Sequence, residues 1–182
     1  MKIGIPLEVK VREQRVALVP AAVAELTELG HELYVQAGAG QGSGYTDAAY
    51  QQAGAHLVSD AKSLYGEAEL IVKVKEPVAP EFPLLQSHHT VFSYLHLAAN
   101  RELADKLVEI GLTAVAFETV TVNGALPLLA PMSDVAGRIS VQTGAQLLYK
   151  TQGGKGLLLG GLPAAERGNV VVIGAGNAGS SA

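Results

Sequence analysis

Near its carboxyl end the chain runs Val170-Val171-Val172-Ile173 straight into Gly174-Ala175-Gly176-Asn177-Ala178-Gly179, and no other passage limits the fold as much. Consecutive β-branched residues favour an extended strand, and an uninterrupted apolar run fits a parallel strand covered on both faces. A Gly-x-Gly-x-x-Gly turn directly after such a strand is the geometry that brings a helix N-terminus up to a phosphate. Gly174 is expected to make the tight turn, Gly176 to let the backbone approach a pyrophosphate, and Gly179 to let the helix lie close to the strand. The amides near Asn177 and Ala178 would then face the phosphate. Only Ser180-Ser181-Ala182 follow, so the helix and the acidic residue expected roughly 20 positions on, which binds the adenosine ribose, have no place here. The expectation is the front part of a longer enzyme, cut inside its nucleotide site.

The rest of the sequence agrees with a layered α/β architecture. Glycine supplies 21 of the 182 residues, mostly where an apolar segment ends, as turn and helix-stop residues do. Strands are expected over 2–6, 31–36, 56–58, 70–75, 90–95 and 113–117, with a further extended piece over 15–19. Helices are expected to open at Pro20, after Thr46, at a Ser59 cap and at an Asn100 cap, with Gly30 and Gly111 as stops. A long helix over 133–150 would carry Val135, Ile139, Gln142 and Ala145 on one face. The composition changes around 127–131, which sets expected domains at 1–130 and 131–182.

A formal net charge of −4 offers no broad cationic surface for nucleic acid or an anionic membrane. The absence of cysteine excludes disulfides, thiolate catalysis and Cys-ligated metals. No secretory signal and no segment of the roughly 20 apolar residues needed to span a bilayer is evident, so the expectation is a soluble cytoplasmic protein. His88 and His89, being adjacent, would point apart in an extended chain, and no metal site is expected.

Several polar residues can carry chemistry. Arg15, just before an extended piece, has the planar donor pair that matches a carboxylate, and equally suits a solvent-facing position. Lys73 and Lys75 would share one strand face, from which an ammonium could polarise a carbonyl or simply be solvated. His96 follows Phe92-Ser93-Tyr94-Leu95 at a strand's carboxyl end, where ligand sites of open sheets gather, and can exchange a proton near neutrality or serve structurally. Glu118 and Ser133 could be site residues or caps.

The ordered set Ile3-Gly4-Ile5-Pro6, Glu13-x-Arg15-Val16, Gln36-Ala37-Gly38-Ala39-Gly40, Lys73-Val74-Lys75-Glu76-Pro77, Tyr94-Leu95-His96-Leu97-Ala98-Ala99, Pro131-Met132-Ser133, Ala136-Gly137-Arg138, Gln152-Gly153-Gly154 and the final glycine turn resembles the amino-terminal part of the alanine dehydrogenase/pyridine nucleotide transhydrogenase family. The resemblance implies an α/β fold in which a Rossmann-like substrate domain precedes the start of a second, dinucleotide-binding Rossmann domain. It implies that Arg15 and Lys75 bind the carboxylate and carbonyl of pyruvate, that His96 is catalytic, and that Ser133, Asn177 and Ala178 contact NAD. The implied reaction is the reversible NAD-dependent oxidative deamination of L-alanine to pyruvate and ammonia, in a protein that assembles as a homo-oligomer, a hexamer in many members. The family's catalytic aspartate lies in the part absent here, so the chain alone is expected to be inactive. The transhydrogenase branch is the rival. It typically lacks the lysine matching Lys75 and the histidine matching His96, and carries an arginine-rich segment where this chain has Val122-Asn123-Gly124-Ala125-Leu126. A non-catalytic binding or assembly module is the other alternative.

Overall fold

Lys2–Ile5 (β1) has apolar residues on both of its faces, and Ile3 and Ile5 are buried, as a central strand of a parallel sheet requires. In the computed structural model, which describes residues 1–182, it lies between Glu32–Gln36 (β2) and Leu70–Val72 (β4). His56–Val58 (β3), Thr90–Ser93 (β5) and Thr113–Ala116 (β6) complete a six-stranded, all-parallel sheet of order β3-β2-β1-β4-β5-β6. The chain winds outward from β1 to β3, returns to the middle at β4, and winds outward the other way to β6. The carboxyl ends of β1 and β4 therefore form the switch point of a doubly wound, Rossmann-like sheet, where ligand crevices arise.

Four helices cover the sheet: Pro20–Glu28 (α1), Asp47–Gln52 (α2), Ala61–Glu67 (α3) and Arg101–Ile110 (α4). Val23 of α1 and Tyr50 of α2 join Ile3, Ile5, Leu33 and Val35 in one apolar cluster, and α3 and α4 bring Leu64, Tyr65, Leu103 and Leu107 to Ile71 and Val91 in a second. Gly4 permits the second packing, because a Cβ there would stand 2.8 Å from both Ala68 Cβ and Leu64 Cδ2. Thr46 and Asn100 cap α2 and α4, each accepting from an amide three residues on. Gly111 ends α4 at φ 79°, in the left-handed conformation that suits glycine.

Some expected elements differ. The cap of α3 is Asp60, whose Oδ1 accepts from the Ser63 amide at 2.9 Å. Ser59 instead donates to Asp60 Oδ2 at 2.8 Å, since the acceptor must stand three residues before its amide. Residues 15–19 form no strand, because the Arg15 amide donates to the Glu13 side chain rather than to a sheet edge. β4 stops at Val72, three residues early. Residues 170–173 are exposed and belong to no ladder, as no strand of this chain lies beside them to take up their backbone groups.

Two compact units result, Met1–Thr119 and Val120–Ala182, dividing ahead of the composition change near 130. The second holds Ala130–Leu147 (α5) and Asn177–Ser181 (α6). Val135 and Ile139 are exposed on α5, and its buried residue is Gly137. The covered side is thus set by close approach to α6 rather than by the expected apolar face. No helix is long and apolar enough to cross a membrane.

His89 is fully buried with both ring nitrogens engaged, Nδ1 accepting from the Gln86 amide at 3.0 Å and Nε2 lying 2.9 Å from the Tyr65 carbonyl oxygen. That pairing requires the neutral tautomer with the proton on Nε2. Burial lowers its pKa below the ordinary 6.5. A depressed histidine pKa makes the unfolded chain the better proton binder, so this contribution is intact above pH 6.5 and is lost as pH falls below it. Urea-unfolding midpoints from pH 7.5 down to 5 should fall more steeply for this chain than for His89→Gln, which keeps one donor and one acceptor without titrating; parallel profiles would contradict the assignment.

Candidate functional site

The segments leaving β1 and β4 bring Glu8, Lys73 and Lys75 to the switch point. Lys73 does not reach a cleft. It is 1% exposed, with Nζ 2.7 and 2.9 Å from the two oxygens of Glu81 and 3.7 Å from Glu8 Oε2. Glu81 also accepts from the Tyr65 hydroxyl at 2.8 Å and the Val78 amide at 2.9 Å. Glu8 accepts from the amides of Val74 at 2.5 Å and Lys75 at 3.4 Å. Burial pushes the Glu8 carboxyl up against the opposing pull of Lys73, and burial with the Glu81 charge pushes the Tyr65 phenol far up. The expected pairing of Lys73 and Lys75 on one strand face fails for this reason: after Val72 the backbone follows the Glu8 carboxylate, and a buried ammonium must be fully partnered.

Arg15 stands on the wall of a cleft of about 580 Å³ bounded also by Leu7, Glu8, Glu13 and the Ala37-Gly38-Ala39 loop. Its Nε and Nη2 donate to the two oxygens of Glu13 at 2.8 and 2.7 Å, and its amide donates to Oε1 at 2.9 Å. Hydrogen bonding from Arg15 holds the Glu13 carboxyl at about 2, with the nearby Lys75 charge adding to the effect. The glycine loop fixes the same segment from behind: Ser43 Oγ donates to the Gln14 carbonyl at 3.0 Å, and a Cβ on Gly42 would meet that oxygen at 2.6 Å. Glu13 presents one edge of the guanidinium to itself and so fixes the plane in which the remaining donors lie.

His96 is exposed and left-handed at φ 51°, and it lines a smaller hollow of about 310 Å³ with Leu97, Ala99, Ala116 and Glu118. Its ring stacks on Tyr94 at 6.1 Å and 17°. Glu76, paired with Lys10 and with Oε2 buried and unpartnered, lies within electrostatic reach of His96. Arg15 in turn acts on the Tyr94 phenol, opposing the upward push of burial. Arg15 and His96 therefore line different hollows, linked through Tyr94, while Lys75, half-buried, acts electrostatically on Glu13 beside Arg15.

Ser133 and the glycine turn belong to the second unit. Gly174 sits at φ 104°, and a Cβ on Gly179 would stand 2.0 Å from the Gly174 carbonyl oxygen, the close helix approach such a turn needs. Ser133 lies on α5 one turn before Gly137, where a Cβ would meet the Ala178 carbonyl oxygen at 2.2 Å. Asp134 accepts from the Ser181 hydroxyl at 2.9 Å. Gly176 is different, with nothing within 4 Å of its would-be Cβ. Gly174, Gly176, Asn177, Ala178 and Gly179 are the residues of this turn that would hold a dinucleotide phosphate. Glu8, Glu13, Glu81 and Tyr65 were not singled out from the sequence as site residues. Glu13 alone had a visible cue there, its two-residue spacing from Arg15.

A doubly wound parallel sheet with a charged cleft between the segments that follow β1 and β2 defines a Rossmann-like α/β domain. Comparison with known proteins narrows the class. A family model described as alanine dehydrogenase/PNT, N-terminal domain matches residues 4–136, and the corresponding C-terminal domain model matches 140–182. The chain is 55% identical to alanine dehydrogenase of Mycobacterium tuberculosis and 49% identical to that of Bacillus subtilis, covering all of itself but 49% and 48% of those proteins. A solved L-alanine dehydrogenase superposes with a TM-score of 0.93 at 49% identity, covering all of this chain and 50% of that one. A transhydrogenase from Sinorhizobium meliloti superposes at 0.70 with 31% identity over 80% of this chain and 44% of that one. The chain belongs to the alanine dehydrogenase/pyridine nucleotide transhydrogenase family. It spans about half the length of the curated relatives it matches.

Removing one partner of the buried lysine should be costly. Glu81→Gln is expected to lower unfolding free energy by about 3 kcal/mol or more, with part recovered in Lys73→Met/Glu81→Gln; urea denaturation of the three chains checks this, and a loss under about 1 kcal/mol would refute the network's role.

Proposed function

We propose that this chain carries the keto-acid cradle and the first phosphate-binding turn of an NAD-dependent alanine dehydrogenase, catalysing the reversible oxidative deamination of L-alanine to pyruvate and ammonia. The observation that carries the reading is the Arg15–Glu13 chelate on the wall of the cleft between the segments that follow β1 and β2, a fixed guanidinium of the kind that holds a small carboxylate. Bound at the glycine turn, NAD would supply the hydride-accepting chemistry for oxidation at the substrate α-carbon.

Arg15 binds and orients the substrate carboxylate. Lys75 lies beside Glu13 with its amide tied to Glu8, and its ammonium is directed to the carbonyl oxygen of pyruvate. His96 takes a proton from the water that adds to the α-carbon of the imine and returns one as ammonia leaves. Ser133, Asn177 and Ala178 contact the cofactor at the turn made by Gly174, Gly176 and Gly179. Identity of about 50% to alanine dehydrogenases over the whole chain, against 31% to the transhydrogenase, favours the alanine enzyme, as does the presence of both Lys75 and His96. Turnover is assigned to a longer, hexameric and cytoplasmic protein, with this chain inactive alone. Assays of the chain and of one continued past Ala182 test this: equal alanine oxidation by both would refute it.

Arg15→Lys should weaken pyruvate about tenfold or more while leaving NAD affinity little changed, since a point charge cannot reproduce a two-pronged contact; calorimetry with each ligand checks this, and equal losses would remove Arg15 from the carboxylate. In the longer protein His96→Ala should lower kcat by about 10² to 10⁴ with a smaller change in KM, and an unchanged kcat would exclude His96 from proton transfer.

A further inference from the structure

The segment that follows β6 supports the His96 loop in two ways. One Glu118 carboxylate accepts from two successive amides, Leu95 N at 3.2 Å and His96 N at 2.6 Å. Its neighbour Phe117 packs edge-on against Tyr94 at 5.1 Å and 85°, and Tyr94 is the ring on which His96 stacks. The turn being held is an unusual one, since His96 is not glycine yet adopts φ 51°, ψ 34°. A left-handed histidine is disfavoured in isolation and persists where surrounding contacts over-determine it. Two converging N–H groups make a concave site for an anion, and a carboxylate is the side chain that offers acceptors to both. Only the strand order places Glu118 there, because β6 lies beside β5 and both chain segments leave the same edge.

We infer that Glu118 is a positioning residue, whose carboxylate clamps the Leu95 and His96 amides and thereby fixes the direction in which the His96 imidazole meets the substrate. This rests on the proton-transfer role proposed for His96. Glu118 touches no substrate in this role; it acts through the backbone. Glu118→Gln discriminates well, because the amide keeps the size but turns a donor toward one of the two N–H groups. Of the titratable groups around the His96 ring, Tyr94 just after β5 stacks on it and Glu76 from the loop after β4 acts on it electrostatically, while Glu118 meets the backbone amide.

The test is NMR on the 182-residue chain with pyruvate as the added ligand, following the Leu95 and His96 amides, the His96 ring and the Arg15 side chain. In the unaltered chain the His96 amide should resonate well downfield and be protected from exchange, and pyruvate should shift both the His96 ring and Arg15. In Glu118→Gln the amide should move upfield and both amides exchange about tenfold faster or more. The ring response to pyruvate should be lost while the Arg15 response remains, a separation that general loosening would not produce. An ordinary, unprotected His96 amide in the unaltered chain overturns the clamp, whether or not the variant folds. A full ring response retained in Glu118→Gln overturns the positioning role. If pyruvate shifts Arg15 but never the His96 ring, while the amide is clamped as described, the failure is that of the catalytic reading of His96, and the positioning role falls with it.

Discussion

A lysine ammonium with almost no exposure to water sits where the two halves of the sheet meet, and the arrangement of the cleft follows from how its charge is met. Lys73 leaves β4 at the switch point and is held by Glu81 and Glu8. Desolvating such a group costs several kcal/mol per ion, offset only when geometry and hydrogen bonding are near complete. Here the second tier of contacts meets that condition: Tyr65 and the Val78 amide complete Glu81, and the Val74 and Lys75 amides complete Glu8. Each of these bonds also fixes a piece of chain. The segments after β1 and β4 become one body, and Lys75 starts from a fixed backbone.

The same device recurs around the cleft. Glu13 accepts three bonds from Arg15, one of them from its backbone, and Glu118 accepts two from the His96 turn. Loops at strand mouths have no ladder to satisfy their amides, and a carboxylate within a short loop can accept from two of them at once. Four glutamates, none of them read as a substrate ligand, thus hold the segments bearing Arg15, Lys75 and His96. Arg15 pairs with Glu13 and Lys73 with Glu81 and Glu8, whereas Glu118 is met by backbone amides.

Much of this was legible in the sequence, and the failures share a cause. β3 and the Asn100 and Thr46 caps follow from local rules, because the deciding contacts lie within about four residues. The strand-end position of His96 could be read because a strand's carboxyl end is also a local feature. Lys73 could not be read correctly, since its partners sit 8 and 65 residues away and alternation assumes that the strand continues. The extended run at 170–173 is a strong local signal without a neighbour; β propensity records how well a residue suits a sheet surface, and it creates no sheet. Val135 and Ile139 show the reverse, an apolar stripe that a glycine contact elsewhere on the same helix overrides.

The glycines of the turn separate by what each is needed for. Gly174 requires glycine by conformation and Gly179 by proximity, since a side chain on either would be strained or would strike backbone. Gly176 requires it for neither reason: its φ is −76°, which any residue adopts, and the space where a Cβ would stand is open. Contacts within this chain therefore leave the second glycine of the motif unexplained, while the first and third are explained by them. On the function proposed above, a dinucleotide phosphate brought against the backbone would use the open space beside Gly176, while Gly174 and Gly179 shape the turn that would present it.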